Sequence, residues 1–380
     1  MRRLTTVFAL VALLAIPVTP AHAVENDQPT PSAAFDNDVR AVAYNGNDLY
    51  VGGDFSTSQT TDGSYYNRSY LAAVDGTTGE LLDFNPTVDG DIMALETHDG
   101  FLYAAGDFRV IDGVDMPRLA RFDLETGELD ADFQVTPSAL VYGLKGDGDR
   151  LIVGGQFASI GGVEQPRLAA IDLTEDAVDE DFRPDVNGGS VRDVAVAHDR
   201  LYLSGAFLAV EDNGRWATLA AVDPNSGELD RSFDPQVRAL IRKIDVSDDA
   251  VYATLDARGG QVSAFDLSGD EQWYTATSGG TQAVAVTDEA VIVGGHFEQV
   301  CEDNQSGPNG ECIGGVLAER RKLYAVDHDG EILSWHPDAD SAVGVWDIAP
   351  HPDNGTFAVS GAFMTFNEGT VDQRGLALFE

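Results

Sequence analysis

The stretch LAAVDGTTGELLDFNP, residues 71–86, joins a short apolar segment, a glycine-containing turn, a second apolar segment and an aromatic residue with proline two positions later. Its aromatic residue, Phe84, recurs along the chain as Phe35, Phe133, Phe182, Phe233, Trp273 or Tyr274, and Trp335. The first three steps between these aromatics are each 49 residues, and the fourth is 51. A repeat of about 50 residues is typical of propellers and solenoids.

Each repeat consists of short apolar segments separated by Gly, Asp and Asn turns, and no helical periodicity interrupts it. This pattern predicts an all-β fold, a seven-bladed β-propeller of four-stranded antiparallel blades. We label the strands A to D from the hub outward. In the first repeat they are expected at 39–44, 49–53, 71–75 and 81–84.

The repeats predict one propeller domain over residues 24–380. The expected blades cover approximately 37–89, 90–138, 139–188, 189–238, 239–279, 280–340 and 341–380. The last repeat supplies only three strands, and an unpaired sheet edge is costly. We therefore expect residues 31–36 to complete blade 7 as its D strand and to close the ring.

The first 23 residues have the features of a secretory signal peptide. Arg2 and Arg3 precede an apolar run, and residues 21–23 read Ala-His-Ala, a small-x-small cleavage pattern. We expect an exported, extracellular protein with no membrane insertion. The net charge of −41 repels phosphate backbones and anionic lipid, so nucleic acid and membrane surfaces are poor partners. We expect a monomer.

The repeat resembles a known family pattern. Gly-Gly-x-Phe, an arginine before Leu-Ala-x-x-Asp, then Thr-Gly-Glu-Leu and Phe-x-Pro resemble the delta-sixty repeat of exported bacterial β-propellers. The arginine is clearest at Arg118 and Arg167, and blades 5 and 7 depart most from the pattern. The resemblance covers essentially residues 31–380. It implies the propeller fold and brings no assigned reaction.

A second resemblance is to quinoprotein repeats, because residues 323–335 read LYAVDHDGEILSW. Quinone dehydrogenases of that type hold their cofactor with an adjacent cysteine pair, whereas the only cysteines here are Cys301 and Cys312. The likeness is therefore interpreted as shared blade geometry. Kelch and WD40 repeats match less well, since the dipeptide Trp346 and Asp347 falls in a predicted inner strand.

One rim of the ring should carry the long loops, because chain direction places the B-C loops and the D-A links together. Binding residues tend to lie on such loops. The candidate binding residues are the x of the repeated Gly-x-Phe at the end of strand B and two tyrosines of the first long loop. They are Asp54, Asp107, Gln156, His296, Tyr65 and Tyr66.

Four further carboxylates on the D-A links extend this acidic mouth: Asp89, Asp91, Asp338 and Asp340. Oxygen-rich clusters of this kind suit Ca²⁺. The alternative interpretation is that these acids cap turns and face water. No cofactor is assured by the sequence, and Ca²⁺ is the only one we consider.

Cys301 and Cys312 lie in one long loop of an exported chain, which predicts a disulfide. The periodic aromatics are interpreted as inter-blade packing.

For function, the sequence favours a secreted binding or scaffold module for an extracellular protein or carbohydrate, with a structural cation as an option. The alternative is a secreted glycan hydrolase or lyase, and the carboxylate pair to test first is Asp54 with Asp107.

Overall fold

The computed structural model describes residues 26–210, 217–257, 259–302, 312 and 315–380. Within these ranges the chain forms strands and turns and contains no helix, which confirms the all-β class. No described segment is a helix long and apolar enough to cross a bilayer. The predicted signal peptide, residues 1–23, lies outside the described residues.

The sheets are antiparallel and follow chain order within each repeat. The A strands are Val39–Asn45, Asp91–His98, Val141–Asp147, Val186–Ala197, Leu240–Val246, Thr281–Val286 and Val345–Pro350. The B strands are Asp48–Gly53, Phe101–Asp107, Arg150–Gly155, Arg200–Val210, Ala250–Ala257, Val291–Gly295 and Phe357–Gly361. The C strands are Leu71–Asp75, Leu119–Asp123, Leu168–Asp172, Leu219–Val222, Gly259–Asp266, Leu323–Val326 and Leu376–Phe379.

The long rim loops form small hairpins of their own. These pair Thr57–Gln59 with Tyr65–Asn67, Val110–Ile111 with Val114–Asp115, Ser159–Ile160 with Val163–Glu164, Gln299–Cys301 with Leu317–Glu319, and Thr365–Phe366 with Val371–Asp372. Each A strand contacts the A strand of the next repeat, and Val345–Pro350 contacts Val39–Asn45. The A strands therefore surround a common centre.

The D strands are shorter than the sequence predicted. Among the described residues, only Ala177–Val178 and Glu271–Thr277 pair as outer strands. Four other repeats have a single bridge at this place: Val74 with Leu81, Phe122 with Leu129, Val222 with Leu229, and Val326 with Ile332. In the first repeat the pairing ends after Leu82, whose N–H donates to the Ala73 carbonyl at 2.9 Å, and Phe84 packs between Tyr50 of the same sheet and Phe122 of the next.

The N-terminal segment contacts the final sheet, but differently from the prediction. Thr30 donates its N–H to the Leu378 carbonyl at 2.8 Å, and the pairing ends there because Pro31 has no N–H to donate. The strand Ala34–Phe35 instead pairs with Thr57–Gln59 in the first rim hairpin. Residues 31–36 thus do not form a D strand on Leu376–Phe379, and the segment bridges the first and last repeats.

Paired glycines at the end of strand B allow neighbouring sheets to approach. A Cβ on Gly52 would lie 2.3 Å from a methyl carbon of Ile92 in the next sheet, and one on Gly53 would lie 2.0 Å from the Asp38 carbonyl oxygen. A side chain at either position would therefore collide with its surroundings, which explains the glycine pair.

The periodic aromatics pack as expected. Phe133 and Phe233 are buried and make edge contacts with Tyr103 and Tyr202, at ring-centroid distances of 5.9 and 5.2 Å. Such aromatic pairs stabilise by about 0.5–1.5 kcal/mol beyond their buried area. These rings therefore fill the core between sheets.

The arginines of the repeat pattern join adjacent repeats. Arg118 and Arg167 adopt left-handed backbone with φ 71°. The Arg167 side chain donates from Nη1 to the Val186 carbonyl at 3.1 Å and from Nε to the Gly189 carbonyl at 2.9 Å. Both acceptors lie in the next repeat, so this arginine tethers one blade's loop to its neighbour.

Cys301 and Cys312 form the predicted disulfide, with their Cα atoms 5.6 Å apart. The bridge closes the base of the long loop in the sixth repeat, and Cys301 is fully buried. Such a bond is typical of a non-cytoplasmic setting.

Replacing both cysteines with serine should lower the free energy of unfolding by about 2–3 kcal/mol, because the unfolded chain regains the freedom of an 11-residue separation. Thermal unfolding with and without reductant measures this. Reductant should lower the Tm of the wild-type protein and leave the double variant unchanged. A wild-type Tm insensitive to complete reduction would contradict the expectation.

Candidate functional site

A cavity of about 290 Å³ opens among the A strands. At the same place in every A strand, one side chain lines it: Arg40, Met93, Tyr142, Arg192, Arg242, Gln282 and Trp346. We call this space the hub cavity and these seven residues the bulge ring. Three arginines in one ring bring positively charged side chains together at the centre of a chain of net charge −41.

A β-bulge places each of these side chains. In the first repeat Val39 pairs with Gly53 and Ala41 pairs with Gly52, so Arg40 has no residue opposite it. The same shift falls at each other member of the ring. A bulge re-aims a side chain and ends regular pairing. The ring is therefore a repeated feature of the fold.

Arg40 lies between two of the carboxylates predicted from the sequence. Its Nη2 is 3.1 Å from Asp54 Oδ2, and its Nη1 is 3.5 Å from Asp91 Oδ2. Burial raises the pKa of Asp91, aided by the nearby Asp54 and Asp107, while Arg40 opposes the shift. The guanidinium thus supplies the positive charge at the position where we expected a metal cation.

Arg242 repeats this arrangement. It donates to Asp256 at 3.0 Å, and Asp256 occupies in the fifth repeat the place that Asp54 occupies in the first. The Gly-x-Phe pattern is missing there, since residues 255–257 read Leu-Asp-Ala. Sequence matching therefore overlooked Asp256.

Arg192 has a different environment. Its guanidinium lies over the face of Tyr142, 4.1 Å from the ring centroid. Among the described residues no carboxylate forms an ion pair with it, and its Nε is buried without a hydrogen-bond partner. It is the member of the ring whose charge is least compensated.

Trp346 completes the aromatic part of the ring. Its indole Nε1 donates to Asp38 Oδ2 at 3.2 Å. Burial raises the pKa of Asp38 even though this hydrogen bond opposes the shift. The indole is partly buried, so it adds an amphipathic wall to the cavity.

A second layer contains a lysine between two aspartates. Lys243 Nζ lies 3.0 Å from Asp347 and 3.8 Å from Asp193, and its side chain is 30% exposed toward the cavity. Each aspartate also accepts a backbone N–H, Asp193 from Ile244 at 2.9 Å and Asp347 from Val42 at 3.2 Å. Burial opposes the lysine's charge, but the two carboxylates outweigh it and raise the pKa of Lys243.

A third layer pairs Lys145 with Glu96 at 3.0 Å. Asp245, nearby, accepts N–H groups from Val246 at 2.8 Å and Val286 at 2.7 Å. Burial raises the pKa of Asp245 despite these bonds. Two of the three lysines in the chain therefore lie at its centre, while the outer surface is acidic.

Asp193 should make stability depend on pH. Its usual pKa is 3.8, and burial raises it to about 6 although Lys243 opposes the shift. Between these values the folded protein holds a proton that the unfolded chain has lost. The contribution of Asp193 is thus present at low pH and lost as the pH rises toward 6.

We expect the unfolding free energy of the wild type to fall, relative to that of Asp193→Asn, by about 2–3 kcal/mol between pH 4 and pH 7. Denaturant titrations at several pH values measure the difference. The exposed Asp115 provides the control substitution Asp115→Asn, for which no such divergence is expected. Parallel pH profiles for the wild type and Asp193→Asn would contradict the prediction.

The other predicted binding residues do not line the hub cavity. Asp107 and Gln156 are exposed at the ends of their B strands, and His296 Nε2 accepts the Gly280 N–H at 3.3 Å. Tyr65 and Tyr66 lie on the first rim hairpin and are 71% and 47% exposed. They form a rim surface separate from the cavity.

The link carboxylates hold loops in place. Asp89 Oδ1 accepts the N–H groups of Arg109 and Val110 at 2.7 and 2.9 Å. Asp340 Oδ1 does the same for Met364 and Thr365. Asp338 accepts the Arg321 N–H, whereas Asp91 reaches Arg40. In the described part of the chain, no group of three or more His, Cys, Asp or Glu side chains is placed to hold a metal ion.

The bulge ring and the lysine layers were not predicted from the sequence. One signal was present: polar or charged residues such as Arg192 and Lys243 interrupt A strands that are otherwise apolar. Their spacing varies with loop length, so the Phe-x-Pro repeat does not align them.

Comparison with known proteins supports the propeller. Residues 98–133 match the family model described as "Domain of unknown function (DUF5122) beta-propeller". No curated protein matches the chain in sequence.

Two solved structures resemble the fold. The computationally designed Ika8 protein is 14% identical with a TM-score of 0.53, and the match covers 93% of this chain and 99% of that one. The WD40 beta propeller domain of Doa1 is 11% identical with a TM-score of 0.52, covering 93% and 96%. At these identities the likeness shows the fold alone. The chain is a β-propeller, a class that commonly serves as a binding or scaffold module.

Proposed function

We propose that this protein is a secreted binding module that takes an extracellular carbohydrate into the hub cavity. The observation that carries the proposal is the bulge ring, in which Arg40, Arg192, Arg242, Tyr142 and Trp346 converge on one cavity. Concave sites with a few convergent polar groups and aromatic walls are the usual form of small-ligand sites.

We also infer that the propeller is a closed ring of seven blades. The contact between the first and last A strands supports closure. The hydrogen bond from Thr30 to Leu378 supports a tie between the chain ends.

The polar atoms of the cavity favour an oxygen-rich ligand. The cavity wall presents the guanidinium groups of Arg40, Arg192 and Arg242, and N–H donors of this kind pair with the hydroxyl and carboxylate oxygens of a ligand. The volume of about 290 Å³ lies near the lower end of small-molecule sites, about 300–1,000 Å³, which suits a sugar unit and is too small for a protein surface.

A protein partner is the competing ligand class, and Tyr65 and Tyr66 on the rim support it. Exposed tyrosines are common anchors at protein interfaces. In that case the rim hairpin, and not the hub cavity, would be the binding surface. The acidic field disfavours nucleic acid and anionic membranes under either alternative, and we expect the module to act as a monomer.

Catalysis on a glycan, as a hydrolase or lyase, is the second candidate function. One observation favours it: burial raises the pKa of Asp193 to about 6, a range suited to a general acid. The raised pKa of Lys243 makes that amine a poor nucleophile. The pair expected from sequence was Asp54 with Asp107. Asp54 forms an ion pair with Arg40, whereas Asp107 is exposed at the end of its strand.

Calcium stays a prediction of the sequence. One oxygen of Asp54, Oδ1, is buried without a hydrogen-bond partner. This oxygen is the one most consistent with the cation expected at this mouth. Calorimetry of the chelated protein with Ca²⁺ tests it, and no heat of binding would exclude it.

A glycan array with the mature chain, followed by calorimetry of each hit, tests carbohydrate binding. We expect Tyr142→Ala to weaken binding about 10-fold or more, because the cavity loses an aromatic wall and the ring that orients the Arg192 guanidinium. Tyr65→Ala is the matched aromatic control and should bind normally. Loss of binding in Tyr65→Ala but not in Tyr142→Ala would move the site to the rim. No binding to any glycan would overturn the proposal, and release of new reducing ends would favour the enzyme.

A further inference from the structure

We propose that Arg192 is a receptor for the carboxylate of an acidic sugar, so that the hub cavity selects uronic acids over neutral sugars. This inference rests on carbohydrate binding at the hub cavity and specifies its ligand class. Nothing in the repeat pattern indicates it, because Arg192 is recognised only through its position in the bulge ring.

The three arginines of the ring differ in how their charge is met. Arg40 is bound by Asp54 and Asp91 at 3.1 and 3.5 Å. Arg242 is bound by Asp256 at 3.0 Å. Arg192 has no ion pair with any described carboxylate, although it lies in a strongly acidic protein. Carboxylates of the protein pair with Arg40 and Arg242. Arg192 can therefore pair with an anionic group of a ligand.

The geometry around Arg192 leaves its donor edge available. Tyr142 covers the face of the guanidinium at 4.1 Å, and stacking of this kind orients the planar group without using its N–H donors. Nε is enclosed by the protein, whereas no described residue forms a hydrogen bond or ion pair with the two terminal nitrogens, which are therefore the donors available to a ligand. A carboxylate approaching in the guanidinium plane would form two parallel charge-assisted hydrogen bonds.

The neighbouring carboxylate does not block such an anion. Asp193 follows Arg192 in sequence but lies in the next layer, where it accepts the Ile244 N–H at 2.9 Å and faces Lys243 at 3.8 Å. Lys243 lies between Asp193 and Asp347, so its positive charge offsets part of the negative charge in the layer beneath the ring.

The rest of the ring suits a sugar bearing that carboxylate. Trp346 offers an amphipathic indole whose N–H is already bound to Asp38 at 3.2 Å, which leaves its apolar face for a sugar ring. Sulfate, phosphate or acetate would contact the Arg192 guanidinium alone. A uronic acid would contact the guanidinium through its carboxylate and the Trp346 indole through its sugar ring, and this combination distinguishes it from those small anions.

The test is calorimetric titration of the full mature chain with trigalacturonate and with mannuronate and glucuronate trimers, each compared with galactotriose. We expect the wild-type protein to bind at least one of these uronates about 10-fold or more tightly than the neutral trimer. In Arg192→Gln the affinity for that uronate should fall about 30-fold, a typical loss for a charge-assisted pair, while the affinity for galactotriose changes by less than about 2-fold. Arg192→Lys should recover part of the loss.

Arg183→Gln is the matched control, because Arg183 is 49% exposed and pairs with Glu180 at the outer edge of its sheet. It should bind like the wild type. Unchanged uronate affinity in a folded Arg192→Gln variant would overturn the inference, as would equal binding of sulfate or acetate at the same concentration. Equal affinity for uronate and galactotriose would overturn it and leave carbohydrate binding intact. Binding of neither class would overturn carbohydrate binding itself.

Discussion

Replacing Lys243 with methionine should lower the free energy of unfolding by about 3 kcal/mol, which corresponds in a domain of this length to a Tm lowered by about 4 °C. The substitution keeps a long apolar stem and removes the ammonium. Asp347 and Asp193, at 3.0 and 3.8 Å from Nζ, would then face each other with no cation between them. Their side chains are only 12% and 10% exposed, so water offers little compensation.

Two comparisons test whether loss of the Lys243 ammonium charge causes the lower free energy of unfolding. Lys145→Met removes a lysine that is 43% exposed and has one carboxylate partner, so its effect should be under about 1 kcal/mol. Adding Asp193→Asn and Asp347→Asn to Lys243→Met should restore part of the loss, since contacting groups are not additive. Calorimetric melting of the four proteins at pH 7 measures this. A Lys243→Met variant that melts with the wild type would show that the layer contributes no stability.

The propeller could be predicted from sequence because its determinants repeat. Phe133 and Phe233 return at nearly constant spacing, and they pack against tyrosines of strand B as expected. Gly52 and Gly53 lie where Ile92 and the Asp38 carbonyl approach too closely for a side chain. The same requirement produces a glycine pair in other repeats. Packing constraints shared by all blades are therefore visible in one chain.

The candidate site could not be predicted in this way because its residues differ from blade to blade. The bulge places Arg40, Met93 and Tyr142 at equivalent positions, yet these side chains have no chemistry in common. A bulge also depends on backbone pairing, which the apolar pattern of an A strand does not reveal. The carboxylates of the Gly-x-Phe pattern were visible, but their partner Arg40 was not.

The outer strands illustrate a second limit. The sequence marks residues 81–84 as a strand, but only Leu81 bridges to Val74. The apolar character of Leu82 and Phe84 reflects packing against the next sheet, and it does not reflect extended pairing. Periodicity reports burial, and burial is common to strands and to anchored loops.

Deleting residues 24–36 should lower the free energy of unfolding by about 5 kcal/mol or more, because it removes buried aromatic packing together with several hydrogen bonds. Thr30 would no longer cover the outer edge of Leu376–Phe379. The Trp335 indole would lose its bond to the Asn26 carbonyl, at 3.1 Å. Phe55 would lose its contact with Phe35, whose ring centroid is 4.5 Å away.

A single substitution tests the same idea without shortening the chain. Phe35→Ala should lower the free energy of unfolding by about 3–5 kcal/mol, since Phe35 is only 2% exposed. Phe84, the next aromatic of the sequence repeat, is only partly buried, so Phe84→Ala should have a smaller effect. Denaturant unfolding followed by tryptophan fluorescence compares the two substitution variants and the deletion with the wild type. If Phe35→Ala and the deletion both had the wild-type free energy of unfolding, the N-terminal segment would not contribute to the stability of the propeller.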